Sequence, residues 1–141
     1  MIRLAALGLA VFLLAVVGEP PDQRLLKPIV LSISRVGPLQ TQRIVIKGYG
    51  FGNNQPYNGD SDFFWMVDIQ GNGTGWWRAG CPDQYGPCTT TLNVESWTDR
   101  RIVVTGFTGS GQYPVSGDLV SFFIWNPQTG RGPAAAAAMV K

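Results

Sequence analysis

The chain contains no histidine. That excludes the Ser-His-Asp and Cys-His arrangements of nucleophilic catalysis, and it removes the commonest ligand of transition metals. Charge is sparse as well, with 11 basic and 9 acidic residues among 141 and a formal net charge of +2. The basic residues are scattered, with only Arg100 and Arg101 adjacent, so the clustered charge of a nucleic-acid or anionic-membrane binder is missing. No stretch reads as a convincing helix. The 2 cysteines, Cys81 and Cys88, are too few for a metal site, which carboxylates alone would have to complete. Their six-residue spacer is also longer than the two residues usual in a redox pair. A disulfide closing the loop between them is the remaining reading.

What is present begins with an address. Met1, Ile2 and Arg3 precede an apolar run over residues 4–17, too short to span a bilayer comfortably and suited to a secretory leader. Residues 1–18 are therefore expected to be a signal peptide cleaved near Gly18, an uncleaved anchor being the alternative. The remainder is expected in a secreted, periplasmic or cell-surface setting, away from membranes once the leader is gone. Residues 19–27 read as a flexible lead-in.

The rest is rich in turn formers, with 18 glycines and 10 prolines. Between them lie short segments with the period-2 alternation of strands. Ile29, Leu31 and Ile33 alternate with Val30, Ser32 and Ser34; Ile44 and Ile46 alternate with Val45 and Lys47. The second of these runs into Gly48, Tyr49, Gly50, Phe51 and Gly52, where glycine at every second position permits a sharp bend. A phosphate cradle would need a helix to follow, and residues 53–59 are no helix start. Further strands are expected over residues 63–70, 89–94, 101–107 and 119–125. Residues 95–99 read as a corner. The alanine run at 134–138 has helix propensity but little to bury, so a weak last strand or disorder is equally open. Short strands at this spacing in one domain-sized chain give an all-β sandwich.

The motif residues Pro28 to Ser34, Gly37 with Pro38, and Ile44 through Gly52 resemble the opening of the IPT/TIG family of immunoglobulin-like (E-set) domains. Trp97, Thr98 and Asp99 followed by Arg101 to Val104 are similar to that family's tryptophan, polar corner and next core strand. Gly117, Asp118, Val120 to Asn126, Thr129 and Gly130 are similar to its closing strand and turn. The resemblance covers residues 28–133 and implies an immunoglobulin-like β-sandwich, present in single copy, that acts without catalysis. On that basis the chain is expected to be a secreted or cell-surface binding module mediating protein or cell-surface interactions. A carbohydrate-binding module and a structural subunit of an extracellular assembly are the alternatives.

Candidate site residues follow from the aromatics. Indole and phenol rings serve both sugar stacking and protein interfaces. Trp76 and Trp77 are adjacent, so in an extended segment they point opposite ways. With Tyr85, inside the cysteine loop, they are the candidate ligand-facing residues, whereas Trp97 and at least one of Trp65 and Trp125 are expected in the core. The oxygen-rich segment containing Asn58, Asp60 and Asp62 is a weaker candidate for calcium. Paired carboxylates for glycoside hydrolysis are not evident, since the acids sit mostly in turns, and no enzyme is expected. The expected partner is an extracellular protein or a cell-surface glycan, with no nucleic acid.

Overall fold

The computed structural model describes residues 27–54, 60–70, 75–81 and 88–141. Within them the all-β expectation is met by eight strands: β1 (Ile29–Ile33), β2 (Thr41–Tyr49), β3 (Phe64–Asp68), β4 (Trp77–Ala79), β5 (Thr90–Thr98), β6 (Arg101–Gly109), β7 (Leu119–Ile124) and β8 (Ala134–Met139). The alternation seen in the sequence sets the facing. Ile44 and Ile46 of β2, Phe64 and Met66 of β3, and Phe122 and Ile124 of β7 are fully buried. Trp65, Val67 and Phe123 on the opposite pleats are partly exposed. Trp97 lies at the centre of the core, its ring edge-on to Phe64 at 5.6 Å, and Phe64 in turn stacks on Phe122 at 6.1 Å.

The immunoglobulin-like sandwich of IPT/TIG type is overturned. Two sheets facing each other across a core would leave their edges unjoined, whereas all eight strands form one sheet in the order β1-β2-β6-β5-β4-β3-β7-β8. Two narrow seams bring this about. At the first, β4 and β5 meet in parallel at the Ala79–Thr90 pair, with the Gly80 amide donating to the Thr90 carbonyl at 2.9 Å. At the second, Val36 and Val140 form a parallel bridge between the segment after β1 and the end of the chain. There the Lys141 amide donates to the Val36 carbonyl at 3.0 Å, and Arg35 Nη2 donates to the Lys141 carbonyl at 2.9 Å. The sheet is thereby wrapped into a nearly closed eight-stranded barrel. The role drawn from the resemblance, an E-set immunoglobulin-like module mediating protein or cell-surface interactions, falls with the sandwich on which it rested.

Two elements differ from their sequence reading. Residues 95–99 are not a corner: β5 continues to Thr98, with register shifts flanking Val94 that let it keep pairing with β6. The alanine run is strand β8, paired along its whole length with β7 from Leu119–Met139 to Ile124–Ala134. Tertiary pairing overrides helix propensity there, since a strand adjacent to β7 covers the edge of a sheet that would otherwise be exposed.

The glycine-rich bend that follows β2 is held by side chains from two other turns. Gly50 and Gly52 have φ of 70° and 71°, the left-handed region that favours glycine. Their amides donate to the Asp99 carboxylate, the Gly52 bond being 3.1 Å. Trp97 Nε1 donates to the Phe51 carbonyl at 3.0 Å, and Asn126 Nδ2 donates to the Gly50 carbonyl at 2.9 Å. The three motif blocks that carry the family resemblance thus meet at one end of the barrel.

Candidate functional site

The five tryptophans are treated very differently by the fold. Trp97 is completely buried and Trp77 nearly so, with its ring edge-on to Phe107 at 6.1 Å. Trp65 and Trp125 are half-buried and stacked on each other, centroids 5.1 Å apart, on the outer face beside Phe123. Trp76 alone is exposed, at 63%. The register explains the split between neighbours. Trp77 opposes Asp68, which faces inward, so the pleat turns Trp77 into the core and the preceding indole out of it.

Trp76 borders an open cleft of about 400 Å³ whose other walls are Trp77, Arg78, Thr89 and Gln112. The cleft lies beside the narrow β4–β5 seam. The Arg78 guanidinium sits over the Trp76 ring, 5.2 Å from its centroid, a cation–π arrangement that orients the indole. Gln112 is oriented from behind: Ser110 Oγ donates to its Oε1 at 3.3 Å, and Thr90 Oγ1 donates to the same oxygen at 3.4 Å. Ser110 and Thr90 hydroxyls are themselves 2.9 Å apart. The cleft therefore presents an indole, a cation, a hydroxyl and a carboxamide within one small volume, in the range of small-molecule sites of about 300–1,000 Å³.

Cys81 and Cys88 are disulfide-bonded, with Cα atoms 5.8 Å apart, and both are buried. The bridge connects the end of the β4 segment to the start of β5, so it clamps the strands that frame the cleft. Tyr85 lies outside the described residues, as does Asn58. Asp60 and Asp62 are exposed, and the Asp60 Oδ2 accepts from Thr91 Oγ1 at 3.3 Å. Among the described residues no group of three His, Cys, Asp or Glu side chains comes together as a metal site would require.

The fold thus brings Trp76 and the flank of Trp77 to one cleft, and neither Asp60 nor Asp62 is among the residues that line it. Arg78, Thr89 and Gln112 were not singled out from sequence. Arg78 carried a usable signal, since two residues on from Trp76 in extended chain it shares the same side. Gln112 carried none, because it arrives from the loop after β6. Comparison with protein-family models, curated proteins and solved structures gives no significant match.

Proposed function

We propose that this barrel is a secreted glycan-binding protein that takes its ligand on Trp76 and binds it without transforming it. The observation that carries this reading is the 63% exposure of Trp76 beside Arg78, Thr89 and Gln112. A large ring left in water is unfavourable unless something covers it, at roughly 25 cal/mol per Å² of apolar surface. A pyranose ring offers a flat face of C–H groups for the indole and a rim of hydroxyls for the polar walls. The Arg78 guanidinium, held over the Trp76 ring, adds a positive charge at the edge of the site, suited to a sugar carboxylate. The Cys81–Cys88 bridge lowers the ordering cost of binding by fixing the strands that carry these groups.

The test is a glycan array probed with the native protein, repeated with Trp76→Ala and Gln112→Ala. Trp76→Ala is expected to abolish binding with stability unchanged within about 0.5 kcal/mol, as at exposed positions generally. Trp77→Ala is expected to destabilise by about 3–5 kcal/mol, as for buried aromatics. Retention of glycan binding by Trp76→Ala would refute the assignment.

A further inference from the structure

The barrel carries a second surface that shares no residue with the cleft. On the outer face of β1, β2 and β6, Lys47 stands directly across from Arg101 in the antiparallel register, and both are exposed. Like charges opposed across a ladder are destabilising, so the pair works against the fold. Arg100, also exposed, lies over the ring of Tyr49 at 5.4 Å. None of these three cations makes a salt bridge with a described acid. Asp99, next to Arg100 in the chain, accepts from the amides of Gly50 and Gly52, and Glu95 is paired with Arg43.

Beside the cations is an exposed apolar group. Ile29, opposite Tyr49 in the register, is 51% exposed, Leu31 in the β1 bulge is 59% exposed, and Tyr49 is 42% exposed. Aliphatic side chains do not stack on sugars and gain nothing from water. Cations flanked by protruding aliphatic residues and an amphipathic ring are the chemistry of a membrane interface.

We propose that the β1–β2–β6 face of this barrel docks on an anionic lipid bilayer, with Lys47, Arg100 and Arg101 meeting the headgroups and Ile29, Leu31 and Tyr49 entering the interfacial layer. This departs from the expectation that the chain leaves membranes alone after export, and it does not depend on the glycan reading. The charge complementarity selects an anionic surface; the aliphatic residues select lipid over an anionic polysaccharide.

The experiment is vesicle sedimentation of the full chain with phosphatidylcholine alone and with phosphatidylcholine mixed with phosphatidylglycerol. Residues 1–18, with Arg3 beside the apolar run, are the same in every variant, so the difference between the unaltered chain and each variant on the same vesicles reads the barrel face. Binding is expected to strengthen with the phosphatidylglycerol fraction and to weaken with salt. Each basic residue near such a surface strengthens partitioning roughly fivefold, so Lys47→Ser with Arg101→Ser together should weaken anionic-vesicle binding about 25-fold. Ile29→Ser with Leu31→Ser should weaken it as well. Because the charge variant relieves a repulsive pair, its melting temperature should hold or rise. An unchanged preference for anionic vesicles in the charge variant overturns the proposal, as does a fall in its melting temperature. Full vesicle binding by the aliphatic variant, with dextran sulfate capturing the protein through the same cations, overturns it in favour of an anionic polysaccharide.

Discussion

Replacing Asn126 by alanine should separate what holds the barrel's glycine-rich end from what merely decorates it. Asn126 is 7% exposed and its side chain makes three hydrogen bonds. Nδ2 donates to the Gly50 carbonyl at 2.9 Å, while Oδ1 accepts from the amides of Gln128 at 2.9 Å and Thr129 at 3.2 Å. Truncation leaves the buried Gly50 carbonyl without its donor, which costs about 1–3 kcal/mol. The two turn amides are nearer water and lose about 0.5 kcal/mol each. The sum is about 2–4 kcal/mol, well above the ordinary substitution near 1 kcal/mol. Gln128→Ala is the matched control. Its side chain also clamps the bend, with Oε1 accepting from the Asn53 amide at 2.7 Å and Nε2 donating to the Asn53 carbonyl at 2.6 Å, but it is exposed. Water replaces those bonds, so the expected loss is below about 1 kcal/mol. Urea unfolding followed by tryptophan fluorescence reads both, with an unchanged m-value showing that the two states keep their exposed areas. Equal losses for the two variants would refute the argument that burial, and not bond count, decides the energetics here.

Gly48→Ala should be among the most damaging single changes in the chain, because its added Cβ would fall 1.9 Å from the Ile29 carbonyl oxygen and 2.5 Å from the Phe51 ring. Gly37→Ala, which meets nothing nearer than 3.9 Å, should be neutral within about 0.5 kcal/mol; comparable melting temperatures for the two would show that β1 yields more readily than its packing indicates. Reduction of the Cys81–Cys88 bridge, closing a sequence separation of 7, should lower stability by about 2.5 kcal/mol on the chain-entropy account, measured as the difference between urea midpoints with and without reductant.

Much of the strand content was legible because most strands bury one face, and a period of two then shows directly in the residue pattern. The core alternation of Ile44 and Ile46, or of Phe64 and Met66, is of this kind. β8 was not legible: with alanine at five successive positions there is no alternation to read, and its strand state comes from pairing with β7. The continuation of β5 was hidden for a different reason. Glu95 and Ser96 look like corner residues in isolation, but Glu95 reaches Arg43 on the outer face and the register shift around Val94 absorbs the irregularity.

Closure of the sheet was the least legible feature, and the physical reason bears on the site as well. A barrel differs from a sandwich in whether the last edges are bonded, and here each seam rests on one residue pair, Ala79 with Thr90 and Val36 with Val140. A single pair leaves no periodicity in sequence. The same holds for the cleft. Adjacent tryptophans in an extended chain must diverge, so the sequence shows that one of Trp76 and Trp77 faces outward, but which one depends on the register between β3 and β4. A one-residue slip would exchange the two rings, placing Trp76 in the core and Trp77 in water. What pins the register is the buried row Phe64, Met66 and Asp68 on β3, matched by Trp77 and Ala79 on β4. The orientation of the candidate binding indole is therefore decided by inward-facing residues of β3 and β4 that are themselves buried in the core, and the cleft lies at the β4–β5 seam, where β4 is only three residues long. A longer β4 would cover the Trp76 flank with paired backbone; the brevity of that strand is what leaves a ring exposed beside polar walls.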